Sequence, residues 1–317
     1  MAIMDFSLII PIYCNENEID NLFIAIEKIN HSIQNNLEVV FVIDGSPDNS
    51  FININKKINL LKFPAQVLVH SRNFGSFSAI RTGLQNANGN YFGVMSADLQ
   101  EPPELICSFY EKLKKDECDV IIGIRDERKD PILTKFFSML FWTLYRKFIF
   151  KDMPRGGVDI FGCNKLFRDN LLKLNESRSS LIVQIFWLGF RKSFLGYSRK
   201  ERLIGKSTWT FRKKIQYMLD SIFSFTDLPI TFLIFVGLLG VSLSFALAIL
   251  IILLRLMQLI VIPGYAPIML SILFLSSINL IGLGVVGIYS WRAYENTKNR
   301  PLGVISSIVK NKNYTIE

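Results

Sequence analysis

With 317 residues the chain has room for one large domain or two smaller ones. Half of the residues are hydrophobic, and a mean hydropathy of +0.30 is high for a purely soluble chain. The net charge is +9, and basic residues flank the long apolar runs, which points to anionic lipid headgroups and argues against a nucleic acid partner.

The minor residue types narrow the chemistry further. Cys14, Cys107, Cys118 and Cys163 lack paired metal-ligand spacing and are expected to be reduced. Two histidines are too few for a histidine metal centre: His31 reads as an exposed helix residue and His70 as a strand-end residue. Asp5, Glu16, Glu18 and Asp20 interrupt the start of the chain, so no signal-peptide core is expected there.

In chain order, residues 7–12 read as a buried strand. Residues 17–34 form a helix with Ile19, Phe23, Ile26 and Ile33 roughly on one face. Residues 37–43 make a second apolar strand, followed by the turn Asp44-Gly45-Ser46-Pro47-Asp48. A weaker helix at 50–61, a strand at 65–69, a helix at 77–87 and a strand at 91–95 follow. Pro102 and Pro103 then open a helix at 103–115, and a fifth strand spans 120–124. Such alternation predicts right-handed βαβ units and a mainly parallel sheet. Ligands of these sheets bind beyond the carboxyl ends of the strands. The loops there are 13–17, 44–50, 70–75 and 96–102, and they hold most of the chemically interesting side chains.

The second half reads differently. Residues 133–150 crowd Phe136, Phe137, Leu140, Phe141, Leu144, Phe148 and Ile149 onto one helix with Lys135, Arg146, Lys147 and Lys151 around it. That pattern suits a helix lying in a membrane surface or a core helix. Residues 210–226 form a second amphipathic candidate. Apolar runs at 229–254 and 267–291 each exceed the roughly 20 residues needed to cross a bilayer. Arg212, Lys213 and Lys214 precede the first and Arg292, Lys298 and Arg300 follow the second, with only Arg255 between. The positive-inside rule then puts both chain ends in the cytoplasm. The expected domains are 1–207 (with the interfacial helix at 134–150), a juxtamembrane helix at 208–228, a two-helix membrane domain at 229–291 and a tail at 292–317.

Five constellations carry chemistry. Asp98 and Gln100, two residues apart after the fourth strand, offer hard oxygen ligands for Mg²⁺ or Mn²⁺ shared with substrate phosphates; alternatively Asp98 caps the following helix. Asp44 either reads a nucleobase or ribose or belongs to an ordinary Asp-Gly-Ser turn. Arg72 and Asn73 in Ser71-Arg72-Asn73-Phe74-Gly75 either meet a phosphate or order their loop. Gly156-Gly157-Val158-Asp159 brings a second carboxylate, and Arg199, Arg202 and Lys206 form a basic, glycine-containing loop suited to phosphate, with Arg125 and Arg128 after strand five adding charge.

Taken in order, these residues resemble the polyprenyl-phosphate glycosyltransferases of family 2, which include dolichyl-phosphate mannose synthase and bacterial undecaprenyl-phosphate glucosyltransferases. Pro11-Ile12-Tyr13, Val42-Ile43-Asp44-Gly45-Ser46, Ser71-Arg72-Asn73-Phe74-Gly75, Ala97 to Pro103, Gly157-Val158-Asp159, and Arg199, Arg202, Gly205, Ser207 and Trp209 each match a family motif. The resemblance implies a GT-A (Rossmann-like, mainly parallel sheet) α/β domain followed by interfacial helices and two transmembrane helices. It implies inverting transfer of one sugar, with UDP-glucose the first guess by family frequency, to undecaprenyl phosphate at the cytoplasmic membrane face. It assigns Asp98 and Asp159 to catalysis, and Pro11, Tyr13, Asp44, Arg72, Asn73, Ala97 and Asp98 to the donor. Arg125, Arg199, Arg202 and Lys206 go to phosphate or acceptor, and Asp98 and Gln100 to the metal. It also implies membrane lipid contact, a homotetramer and a separate lipid-sugar flippase.

Departures from the pattern are Ile43 for the first Asp of an Asp-Asp pair, Cys14-Asn15 for Asn-Glu, Ser96 for the first metal-loop Asp, Thr208 for Lys and Phe161 for Arg. They leave open the alternative of a weakly active or inactive membrane scaffold subunit. A processive synthase is disfavoured, because Gln184-Ile185-Phe186-Trp187 lacks the Arg of Gln-x-x-Arg-Trp.

Overall fold

The computed structural model describes residues 4–125, 146, 154, 158, 160–176, 179–198, 228–257 and 265–313. The expected surface helix (apart from Arg146), the juxtamembrane helix, Asp159, Arg128, Arg199, Arg202 and Lys206 lie outside them. The chain divides into two units, one made of residues 1–210 and 300–317, the other of 211–299.

In the first unit β1 (Phe6–Ile12), α1 (Ile19–Ser32), β2 (Leu37–Ile43), α2 (Ser50–Lys57), β3 (Ala65–His70), α3 (Ser76–Asn86), β4 (Tyr91–Val94), α4 (Pro103–Lys114) and β5 (Val120–Arg125) follow the expected alternation. The β2 strand is buried at all seven positions and β1 at six, because helices cover both faces of a parallel sheet. The buried residues of α1, Ile19, Leu22, Phe23, Ile26 and Ile29, recur at helical spacing, and the Phe23 ring stacks on Phe41 at 5.6 Å.

Three strands were not expected: β6 (Phe161–Asn164), β7 (Lys192–Tyr197) and β8 (Ile305–Lys310). Short helices α5 (Lys165–Leu171) and α6 (Leu181–Trp187) lie between β6 and β7. The sheet order is β7-β5-β6-β4-β1-β2-β3-β8. Strands β3, β2, β1 and β4 are mutually parallel, β6 runs antiparallel between β4 and β5, and β8 pairs antiparallel with β3. Part of the segment expected as a tail therefore closes one edge of the sheet.

This order fixes where a ligand belongs. From β1 the chain steps outward to β2 and β3, then crosses back so that β4 pairs with the other side of β1. Their carboxyl ends diverge at this switch point and leave a crevice between the loops after β1 and β4. β5 shares the β4 direction across β6, so Arg125 ends on the same edge two strand spacings away, about 10 Å.

The second unit contains α7 (Leu228–Leu256) and α8 (Tyr265–Thr297). The two expected apolar runs fall inside them. Among the described residues one helical stretch, Phe274–Thr297, is long and apolar enough to cross a membrane, and Pro229–Gly240 is a shorter apolar one. Large side chains such as Phe232, Phe235, Leu280 and Leu283 are exposed. Exposed apolar surface on this scale signals an apolar surrounding or partner.

Candidate functional site

Loops after β1 and β2 are knitted into one body by Asp48. Its carboxylate accepts from the Ser46 hydroxyl, from the Ser50 hydroxyl at 2.8 Å and backbone N–H at 3.2 Å, and from the Glu16 N–H at 2.9 Å. The Glu16 carboxylate answers by accepting the Asn49 N–H at 2.9 Å, and Ser46 Oγ accepts the Cys14 N–H at 2.8 Å. Cys14 takes a left-handed backbone (φ 56°), which leaves Tyr13 and Cys14 exposed beyond β1 while Pro11 stays within the strand.

Burial alone pushes the Asp48 carboxyl up, but the donors from Ser46, Ser50 and Glu16 outweigh it and hold its pKa below the ordinary carboxylate range. A group depressed on folding contributes stability that is complete above the unfolded pKa, about 3.9, and lost as pH falls through the depressed value. The melting temperature of Asp48→Asn is therefore expected to lie below wild type by a constant margin from pH 5 to 8. That margin narrows below pH 4, and a thermal melt series across pH measures it.

Asp44 follows β2 directly. It is buried, and its Oδ1 accepts the Phe74 N–H and faces His70 Nδ1, both at 2.8 Å; Oδ2 accepts the Gly75 N–H at 2.8 Å. An aspartate engaged by three protein groups clamps the loop 71–75. The clamp follows from reach, because β2 and β3 are adjacent and bring the loop amides over the end of β2. Gly45 completes the clamp. It adopts φ 60°, and a Cβ there would lie 2.3 Å from the Arg72 carbonyl carbon and 2.4 Å from the Asn73 nitrogen. The clamped loop presents Arg72 and Asn73 as exposed side chains, with the Arg72 guanidinium 4.4 Å from the centre of the Phe74 ring.

The loop after β4 is a closed turn. Ser96 N–H donates to Glu101 Oε2 at 3.3 Å, Leu99 N–H returns to Ser96 O at 3.4 Å, and Leu99 takes φ 52°. Asp98 Oδ1 accepts the Gln100 N–H at 3.4 Å, an Asx-type contact, and no side-chain cap closes the start of α4. Asp98 is partly exposed, whereas Ala97, Gln100 and Glu101 are buried. Sequence reasoning passed over Glu101. Its signal was a carboxylate directly before Pro102, and in the fold it lies beside the Ser96 amide, where the loop lacks an aspartate.

Among the described residues no three His, Cys, Asp or Glu side chains form a metal cluster. One carboxylate and one amide still fit a hard divalent ion that takes its remaining ligands from phosphate and water. The β6 strand enters the sheet beside the end of β4, pairing Gly93 with Gly162. Asp159, two residues upstream of β6, lies outside the described residues. Gln184 is not an acceptor motif: it is buried and its Oε1 receives Arg81 Nη1 at 3.2 Å.

Residues 7–174 match the glycosyl transferase family 2 model. An uncharacterized glycosyltransferase of Synechocystis sp. is 31% identical over 314 residues, 96% of each chain. The bactoprenol glucosyl transferase of Shigella phage SfII is 30% identical over 305 residues, 95% of this chain and 97% of that one. Among solved structures, a mannosyltransferase of Pyrobaculum calidifontis in complex with GDP-Man and Mn²⁺ aligns with a TM-score of 0.48 at 14% identity, over 68% of this chain and 62% of that one.

Proposed function

The chain belongs to glycosyl transferase family 2, and from that premise we propose that it moves a single sugar from a nucleotide donor to the phosphate of a membrane polyprenol. UDP-glucose is the proposed donor and undecaprenyl phosphate the proposed acceptor, with inversion at the anomeric carbon. The observation that carries the proposal is the switch point between β1 and β4, where the loops holding the exposed Tyr13 and the partly exposed Asp98 leave one edge of the sheet. The likeness to a bactoprenol glucosyl transferase over nearly its whole length supports the acceptor class.

In this assignment Asp98 and Gln100 would hold Mg²⁺ or Mn²⁺ against the donor diphosphate, and the ion would neutralise charge on the departing nucleotide. Tyr13, Arg72 and Asn73 line the nucleotide, with Pro11 and Ala97 shaping the floor between them. Arg125, Arg199, Arg202 and Lys206 balance phosphate charge. The acceptor's phosphate monoester has a second pKa near ~6, so at neutral pH it is largely dianionic and needs positioning more than a strong base. Asp159 orients the acceptor or the sugar. α7 and α8 anchor the chain in the cytoplasmic membrane by two spans, with both ends and the catalytic unit on the cytoplasmic side. A homotetramer and a separate flippase complete the proposal.

Purified full-length protein in detergent, given labelled nucleotide sugars and undecaprenyl phosphate, is expected to form one lipid-linked monosaccharide with UDP-glucose. The donor should also slow alkylation of Cys14, the one exposed thiol of the four. No lipid-linked product with any common donor, beside an active relative as control, would sink the proposal.

A further inference from the structure

We infer that the C-terminal segment 300–313, bolted to the sheet through His70, is a positioning element for the loop 71–75. The inference rests on the assignment of that loop to the nucleotide donor. His70 has no exposed side-chain surface, and both ring nitrogens are engaged, Nδ1 with Asp44 Oδ1 at 2.8 Å and Nε2 with Thr82 Oγ1 at 2.9 Å. Through Asp44 it is one bond removed from the Phe74 and Gly75 amides. No described contact of His70 reaches an exposed group at the crevice, so its influence there runs through the loop.

The segment closes over this histidine from outside. A Cβ on Gly303 would lie 2.7 Å from Thr82 Oγ1 and 2.9 Å from His70 Nε2, so the backbone passes directly against the pair. Val304 O accepts the Ser71 N–H at 2.9 Å, which fixes the first residue of the loop. Ser306 Oγ donates to Val69 O at 3.0 Å, where the β3–β8 register shifts between Val69 and His70. The far end is anchored as firmly. Asn311, buried at 3% exposure, donates to Phe63 O at 2.7 Å and accepts the Ala65 N–H at 3.1 Å. A buried side-chain amide with both ends satisfied specifies one docked arrangement. The loop is thus held from within by Asp44 and from outside by residues that follow α8 in sequence.

Gly303→Val in the full-length protein is expected to raise the donor KM about tenfold, the effect of losing one charge-assisted hydrogen bond, while kcat changes less than about threefold. Tryptic cleavage after the exposed Arg72 should accelerate in parallel, read by mass spectrometry of the new terminus at Asn73. His70→Ala should do the same. His70→Asn, whose amide N–H can still reach Asp44, should recover most of the wild-type KM and resistance, and this pair decides the matter if Gly303→Val does not fold. Unchanged KM and unchanged cleavage in folded Gly303→Val and His70→Ala would overturn the inference. A wild-type protein that transfers no sugar would overturn the functional assignment instead, and the cleavage experiment would still test the positioning.

Discussion

Asp98→Asn is expected to lower kcat/KM for sugar transfer by about 10²–10³-fold, the usual loss when a group that stabilises charge in the transition state is removed. The choice of asparagine matters. Its amide oxygen can still accept the Gln100 N–H, so the closed turn held by Ser96, Leu99 and Glu101 should survive. What disappears is the negative charge that would face a divalent cation, and an amide is a far weaker ligand for Mg²⁺ or Mn²⁺ than a carboxylate. The half-saturating Mn²⁺ concentration should therefore rise together with the fall in rate, while the melting temperature without metal stays near wild type. Retention of more than half the wild-type rate at limiting Mn²⁺ would show that Asp98 is not the charge that matters, and Glu101, buried beside the Ser96 amide, would become the carboxylate to test next.

The fold's parallel centre was legible because strands buried on both faces must be apolar throughout, and β1, β2 and β4 are nearly so. The edges were not legible for the same reason reversed. Phe161–Asn164 contains four residues with a glycine, and Ile305–Lys310 carries two serines and leaves most of its surface exposed. Neither has the length or the periodicity that separates a strand from a loop, and their pairing depends on contacts distant in sequence. The candidate site was legible to the level of loops. Four polar turns following four strands had to gather at one edge once the strands ran parallel. The division of labour inside that edge was not legible. Asp44 read as either a ligand acceptor or a turn residue, and the neighbouring strand brings His70 and two loop amides within 2.8 Å of it. The sequence holds no trace of that saturation, because it arises from the register of β2 on β3.

Gly45 and Gly75 offer a comparison that separates backbone strain from steric collision. Both have positive φ, 60° and 96°, but Gly45 has the φ of a left-handed residue, whereas Gly75, with ψ 154°, lies in the extended positive-φ region that is essentially confined to glycine. Backbone strain alone costs an alanine about 1–2 kcal/mol at a left-handed position and about 1–3 kcal/mol in the region Gly75 occupies. Around Gly75 nothing lies within 4 Å of the added Cβ, so Gly75→Ala should cost that strain with no collision added to it. Around Gly45 the added carbon would meet backbone atoms of Arg72 and Asn73 at 2.3 and 2.4 Å. Backbone cannot rotate away as a side chain can, so the loop must move, and moving it pulls the Phe74 and Gly75 amides off a buried carboxylate. Hydrogen bonds to a charged acceptor contribute about 1.5–3 kcal/mol each. Losing one or both along with the strain puts Gly45→Ala at about 3–5 kcal/mol, in the range reserved for buried structural failures. For a unit of this size that corresponds to a drop in melting temperature on the order of 10 °C, against a smaller drop, set by strain alone, for Gly75→Ala. Donor binding should fail in the first variant and persist in the second. A Gly45→Ala melting temperature no lower than that of Gly75→Ala, with donor binding intact, would mean that the loop 71–75 yields to Gly45 at no cost, and that Asp44 does not hold it.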